Sequence, residues 1–534
     1  MTEPARYDAI VIGAGISGMY QLHKLRALGL SALVLEAGTG VGGTWYWNRY
    51  PGARFDSESW SYGYSFSQEI LDEWDWTEHF SPQPDTLRYL DFVADKLDLR
   101  RDIRFRSRAT AAHWSETARE WRVATEDGAT FRARFLVTAV GPLSAPTLPD
   151  IPGIGDFRGQ SCHTARWPHE PVDFTGKRVA VIGTGATGVQ TIQEVAKTAG
   201  RLTVFQRTPN WCAPLLNRKI DRDEMARIRA EYPAIFSRCQ ETFACFIHTP
   251  DPRGTFEVSS KEREAFWERL YNEPGFGIWQ GNFRDMLTDR AANALISEFV
   301  ARKIRARVKD PAVAEKLIPK THGFGTRRVP LETRYYEVYN QDNVELVDLT
   351  ETPIERITAE GLRTSARAFE ADIIVYATGF DAVTGSFDRI DIRGTEQRSL
   401  RDRWAGGPET FLGVLVDAFP NLLMLIGPHM ALGNIPRSIE YNVEWVSDLL
   451  GYAATRGITR IEAGDGAVAE WTAHVRSLGQ GLLSNEIDSW MTGVNRNVAG
   501  KNVRIINRYS GSAPAYRARC EAVAAAGYEG VRLE

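Results

Sequence analysis

Two stretches of the chain carry the same pattern of apolar and polar positions. Tyr7 to Ile12 is an apolar run, followed by GAGISG with glycines at 13, 15 and 18. Apolar residues at helical spacing then continue to Leu28, and after Gly29 a second apolar run closes in LVLE at Glu36. RVAVI, from Arg178 to Ile182, repeats the pattern, with GTGATG placing glycines at 183, 185 and 188, a helical stretch to about Ala199, and RLTVFQR ending at Arg207. Each stretch predicts strand, glycine turn, helix, strand. ARFLVTAVG (133–141) and ADIIVYATGF (371–380) are further apolar runs ending in glycine. They are expected to return as strands that complete two sheets. From about Ile220 to Lys320 the periodicity turns helical, as in DRDEMARIRAEYPAIFSRCQET and AANALISEFVARKIRARVKD, with charged outer faces and little strand signal.

A single G-x-G-x-x-G is weak evidence, but here the strand and helix that give it meaning occur twice. The first glycine allows a tight turn, the second lets the backbone approach a pyrophosphate, and the third lets helix pack on strand. The fold class expected is α/β, with two nested Rossmann-like dinucleotide-binding domains and a helical insertion. The residue closing the second strand meets the adenosine ribose. Glu36 lies 36 − 13 = 23 positions after Gly13, and the same count from Gly183 reaches Gln206, followed by Arg207 and Thr208. A carboxylate accepts hydrogen bonds from ribose hydroxyls, as FAD or NAD requires, whereas arginine and threonine suit the 2′-phosphate of NADPH. The second site is therefore read as NADPH-binding. After Glu36 comes GVGGTWYWNRYPGARFDSESWSYGYSF, which gathers Gly42, Gly43, Thr44, Trp45, Tyr50, Pro51, Asp56 and Tyr62. This glycine-rich aromatic loop offers the close backbone approach and flat walls that a flavin needs.

The division expected is FAD domain 1–144, NADP domain 145–212, helical insertion 213–329, the rest of the NADP domain 330–379 and the rest of the FAD domain 380–534. Besides the glycines, Thr187 and Gln190 of the second turn are counted as cofactor-binding positions.

Composition narrows the remaining possibilities. At roughly 150 residues per domain, a chain of 534 residues exceeds one small module. Apolar residues make up 43% and charged residues 25%, and the net charge is −4, so neither global disorder nor a polyanionic partner such as nucleic acid is indicated. Five cysteines, at 162, 212, 239, 245 and 520, include no C-x-x-C and make no disulfide framework. The start MTEPAR lacks the order of a signal peptide, and the apolar stretch from 411 to 427 is broken by Asp417 and Pro420. A soluble, cytoplasmic protein without membrane insertion is expected. No H-x-x-x-H or carboxylate pair accompanies the histidines, so no metal is expected.

Between the two glycine motifs lies DFRGQSCHTARWPHE, with Phe157, Gly159, His163, Trp167 and Pro168. It matches the F-x-G-x-x-x-H-x-x-x-W-[PD] fingerprint and resembles that of flavin-dependent Baeyer–Villiger monooxygenases. The segment from Gly42-Gly43-x-Trp45 through Tyr50-Pro51-Gly52 to Asp56 is similar to that family's second signature. The resemblance implies an enzyme that oxidises a ketone to an ester or lactone with FAD, NADPH and O2, through a C4a-peroxyflavin. It implies that Arg328 and Asp56 are the catalytic pair, Arg328 lying over the flavin and Asp56 positioning it. It places Arg327 with Arg207 and Thr208 near the NADP phosphate, and Trp490, in the late SWMTGVNRNVAGKNVRIINRY segment, against bound NADP. There Ala499 stands where the family commonly has proline. His163 is implied to be a linker residue without a chemical role. The stretch HMALGNIPRSIEYN is placed beside the flavin, and apolar Met430, Ala431 and Leu432 with Ile435 suit a ketone of substantial hydrocarbon character. Without the resemblance, Arg328 reads as an ordinary loop arginine and Trp490 as a core tryptophan. The competing functions are an N- or S-oxygenating flavin monooxygenase and a non-catalytic nucleotide-binding sensor, and a disulfide reductase is disfavoured by the missing C-x-x-C. Which ketone is oxidised, and the oligomeric state, are not encoded in any motif found.

Overall fold

The computed structural model describes residues 4–534, so the first three residues of the MTEPAR start lie outside it. The first strand, Ala5–Ile12, sits inside an eight-stranded sheet. Parallel neighbours are Ala32–Leu35 on one side and Thr130–Thr138 on the other. Ile103–Arg104 extends the first edge, and the antiparallel strands Glu120–Thr125 and Ala109–Ser115 extend the other. Two late strands, Asp391–Arg393 and Leu422–Met424, join the same sheet in parallel with Ala109–Ser115 and Thr130–Thr138. The chain therefore leaves this sheet after residue 138 and returns some 250 residues later to finish it.

The apolar run of the first strand is continuous because both faces of the sheet are covered. Ala9 and Val11 enter one core with Met19, Leu22 and Leu25 of the helix Ile16–Ala27, while Ile10 and Ile12 enter another with Trp121 and Phe419. The second unit has the same construction. Five parallel strands run in the order Val344–Asp348, Arg201–Gln206, Arg178–Ile182, Ile373–Tyr376 and Gln160–His163. Val179 and Val181 face one core, and Ala180 and Ile182 face the other. The runs at 133–141 and 371–380 become the strands Thr130–Thr138 and Ile373–Tyr376. The second helix ends at Val195, short of Ala199, and its last turn tightens as the Thr198 and Ala199 N–H groups both donate to Val195 O.

The long helices between the sheets include Arg222–Glu241, Ser260–Tyr271 and Arg290–Arg307, followed by the shorter Pro311–Leu317. Each begins with a side chain accepting a hydrogen bond from its first turn, namely Asp221, Ser259, Asp289 and Asp310. Trp267, Ile296, Phe299, Ile304 and Leu317 of the last three join the core that also holds Val179 and Val181, whereas Met225, Ile228 and Tyr232 of Arg222–Glu241 enter the core of the first sheet with Ala9 and Val11. No helix among the described residues is long and apolar enough to cross a membrane. The cysteines are all buried and free.

Candidate functional site

The register of the first sheet aligns Ile12 with Leu35 and with Thr138, so Gly13, Glu36 and Ala139 emerge together at the carboxyl ends of adjacent strands. Gly13 turns the chain at φ +106°, and a Cβ there would stand 2.6 Å from Ala139 O. A Cβ on Gly18 would stand 1.8 Å from Gly13 O, so helix and strand meet only because both are glycine. The helix Ile16–Ala27 has no side-chain cap, which leaves its first N–H groups facing the turn. Glu36 is buried, with its two oxygens accepting from Ala14 N at 2.8 Å and Gly38 N at 2.6 Å. Burial raises its pKa, against the pull of those N–H groups.

These groups open on a cleft of about 660 Å³, whose walls include Gly15, Gly43, Thr44, Trp45 and Tyr62. Trp45 Nε1 donates to Tyr62 OH at 3.2 Å, and Tyr62 stacks on Phe55 at 4.1 Å, which makes the aromatic wall rigid. Four cations also line the cleft: Arg108, Arg166, Arg389 and Arg401. Arg166 lies 4.5 Å over the Trp47 ring, its hydrogen bonds going to the carbonyls of Ala165 and Ser144, and burial pulls its pKa down to about 10. An uncapped helix end, a buried carboxylate, flat walls and a set of guanidinium groups fit a flavin dinucleotide with its pyrophosphate.

The second turn repeats the backbone. Gly183 has φ +109°, a Cβ on Gly188 would stand 2.2 Å from Gly183 O, and a Cβ on Gly185 would meet nothing within 4 Å. The bare surface over Gly185 and the uncapped helix Ala186–Val195 form the same cradle. Thr187 Oγ1 lies 3.1 Å from Thr164 Oγ1, and Thr208 O accepts from Thr184 Oγ1 at 3.2 Å. Gln190 is occupied between Tyr50 OH and Arg54 O, so it ties the aromatic loop to the second unit. Burial lowers the pKa of both Arg207 and Arg327; Arg496 lowers both further and Arg207 adds to the fall at Arg327, where Asp488 pulls the other way. Such a cluster of like charges calls for an anion, and the 2′-phosphate of NADPH is one that fits.

Arg328 stands between the two sites. Its Nη2 donates to Asp56 Oδ2 at 2.8 Å, while the Leu331 N–H reaches the same oxygen at 3.3 Å. Asp56 is 2% exposed, and its Oδ1 has no partner. The guanidinium lies 5.9 Å over Phe276 and keeps about a third of its surface accessible. Burial raises the Asp56 pKa above its ordinary 3.8, and Arg328 opposes that shift. With the proton held more tightly in the folded chain than in the unfolded one, this group favours folding less as pH rises above 3.8. A fixed cation whose free face is open can stabilise negative charge on a reacting oxygen.

The fingerprint segment forms a splice. A Cβ on Gly159 would collide with the Phe157 ring and with Asp372 O. His163 Nδ1 accepts from Ala165 N at 3.0 Å, so its Nε2 carries the proton and donates to Thr147 O at 3.1 Å. Burial lowers its pKa, and both ring nitrogens are engaged with backbone, which leaves no free base. Trp167 packs beside Phe174 in the second core. Of the expected pocket residues, Met430 and Ala431 are buried in the first core, Leu432 keeps partial exposure, and Ile435 lines the cleft with Ile426 and Ile439. Trp490 is 36% exposed and is not a core residue. Arg108, Arg166 and Arg389 were missed by the motif reading, although Arg166 lies inside the fingerprint itself.

Comparison with known proteins adds independent information. Residues 7–226 match the family described as flavin-binding monooxygenase-like. The chain is 48% identical, over 98% of each protein, to the 2-oxo-Delta(3)-4,5,5-trimethylcyclopentenylacetyl-CoA monooxygenase of Pseudomonas putida. It is 40% identical to a Baeyer–Villiger monooxygenase of Pseudooceanicola batsensis, over 99% of this chain and 96% of that one. It is also 40% identical to the phenazine N-monooxygenase PhzNO1 of Lysobacter antibioticus, over 99% and 98%. Among solved structures, OTEMO in complex with FAD and NADP superposes over 100% of both chains with a TM-score of 0.96 at 47% identity.

Proposed function

From the premise that this chain belongs to the Baeyer–Villiger monooxygenases, we propose that it oxidises a ketone of substantial hydrocarbon character to an ester or lactone, consuming NADPH and O2. The observation that carries this reading is the guanidinium of Arg328 held at 2.8 Å by the buried Asp56. FAD, when bound, supplies the activation of O2, and NADPH supplies the hydride that prepares it.

The chain's own groups bind, orient and stabilise. The first cradle, with Gly13, Gly15, Gly18, Glu36, Gly43, Thr44, Trp45 and Tyr62, holds FAD, and the parts of the chain assigned to it are 1–144 and 380–534. The second, with Gly183, Gly185, Thr187 and Gly188, holds the pyrophosphate of NADPH from 145–212 and 330–379, and Arg207, Thr208 and Arg327 take its phosphate. Gln190 and the fingerprint residues Phe157, Gly159, His163 and Trp167 keep the two units in register. Trp490, on a loop anchored by Lys501 to Asp381 and Asp388, covers the nicotinamide side and excludes water. When oxygen is inserted, negative charge develops on the ketone oxygen, and Arg328 is a permanently charged donor that stabilises it without becoming a competing acid. Asp56 fixes the guanidinium and neutralises part of its charge. The compartment that suits five free cysteines is a reducing cytoplasm.

The N-oxygenating relative favours one second reading, because the same scaffold there carries a name for nitrogen oxidation. Incubating the holoenzyme with NADPH and a panel of ketones, alongside a tertiary amine and a thioether, separates the two. Ester or lactone formed in near-equal amount to NADPH consumed is the expected result. N-oxide or sulfoxide as the main product, with every ketone left intact, overturns it.

A further inference from the structure

Resting on the ketone-oxidising reading, we propose that Glu58 and His248 are a positioning pair for oxygen transfer. Asp56 fixes the edge of the Arg328 guanidinium, and the hydrogen bond between Glu58 and His248 fixes the floor beneath it. Glu58 lies two positions past Asp56 on the same loop and is 4% exposed. His248 Nε2 donates to its Oε1 at 3.0 Å, and its Oε2 is buried without a partner among the described residues. A buried carboxylate with one oxygen unsatisfied is a poor source of stability. What such a pair supplies is a fixed geometry.

That geometry is centred on Phe276, the ring 5.9 Å from the Arg328 guanidinium. Just before the ring, Gly275 turns the chain at φ +82°, and a Cβ there would stand 2.7 Å from Glu58 Oε1. Just after it, a Cβ on Gly277 would stand 3.8 Å from His248 Nδ1. The pair therefore grips the chain on both sides of Phe276. Phe246, two positions before His248, meets the same ring edge-on at 5.2 Å. Asp56 takes only one nitrogen of the guanidinium, which leaves its plane free to tilt about that bond, and the ring below limits the tilt. The segment bearing His248 also holds the loop after Leu432, since the Asn434 N–H donates to Ala244 O at 2.8 Å and a Cβ on Gly433 would collide with the same oxygen. Breaking the pair thus loosens the floor under Arg328 and the wall that carries Leu432, while neither glycine turn is touched.

The test uses the holoenzyme and the ketone that the wild type converts best in the panel above, with His248→Ala, His248→Gln, Glu58→Ala and the double alanine variant. Two rates are read: ester formed per NADPH consumed, and bleaching of the flavin by NADPH without oxygen. His248→Ala is expected to lower kcat/KM for the ketone about 10- to 100-fold, the cost of a small misplacement at a reacting centre, with the missing ester replaced by hydrogen peroxide and bleaching near normal. Glu58→Ala should match it, and the double variant should add little, because both remove one bond. His248→Gln, whose amide can still reach Glu58, should recover most of the ester. Bleaching lost in step with ester, or losses that add in the double variant, would show a merely structural role and overturn the proposal. Full ester yield from His248→Ala, or no recovery with glutamine, would overturn it as well. Should an alanine variant fail to fold, His248→Phe, a ring without the donor, takes its place and faces the same outcomes. A wild type that forms no ester from any ketone would instead remove the reading on which the proposal rests.

Discussion

At Gly13 and at Gly183 the backbone turns almost identically, with φ of +106° and +109°, and in both turns the third glycine abuts the first. Past the second strand the two turns diverge. The first ends in a buried Glu36 held by two backbone N–H groups, and the second in a buried Gln206 followed by Arg207 beside Arg327. The first opens into a cleft lined in part by late residues of the chain, among them Arg389, Ile426 and Ile435, while the second faces the helices and the late loop around Asp488. The common part is steric: strand, turn and helix can meet closely only without a Cβ. The divergent part is electrostatic, and under the proposed assignment it is what selects the ligand. Evidence for a dinucleotide and evidence for which dinucleotide therefore reside in different residues.

That separation can be broken at either level. The largest effect is expected from filling the turns one at a time. Gly18→Val and Gly188→Val each force backbone to move, at about 3 kcal/mol or more. Gly18→Val is expected to purify colourless, whereas Gly188→Val should stay yellow and be reduced by dithionite but not by NADPH. Colour lost in both or in neither would contradict the assignment of one cofactor to each turn. A smaller and sharper effect is expected at the phosphate. Arg207→Ala removes a charge-assisted contact worth about 1.5–3 kcal/mol, which should raise KM for NADPH by about 10- to 100-fold while leaving NADH use nearly as before. Equal losses with both nucleotides would assign Arg207 a structural role.

Much of this was legible in the chain because short-range patterns encode it. The two strand, turn and helix units rest on neighbours in sequence, and so does the contrast between Glu36 and Arg207. The fingerprint was legible as a resemblance, yet its physical role appears only in the fold, where His163 turns out to be bonded to backbone at both nitrogens. Helices such as Arg290–Arg307 were visible in their periodicity and charged outer faces. The antiparallel strands Ala109–Ser115 and Glu120–Thr125 were not, since exposed positions interrupt the buried ones and leave no continuous apolar run. The arginines of the flavin cleft were missed for a different reason. Arg108, Arg166 and Arg389 come from three distant segments, and no spacing along the chain relates them. Met430 was expected in the pocket because apolar residues line ketone sites, but the same property put it in the core, where its Cβ lies 2.8 Å from the position of a Cβ on Gly413. Periodicity cannot tell those two fates apart.

Under the proposed function, Arg328, fixed by Asp56, serves oxygen transfer and not the nucleotide chemistry that precedes it. The most direct measurement is the yield of ester per NADPH consumed by Arg328→Ala, taken together with the rate at which NADPH bleaches its flavin without oxygen. The account predicts near-normal bleaching and no detectable ester, the consumed NADPH appearing as hydrogen peroxide. Ester formed at the wild-type yield would contradict it.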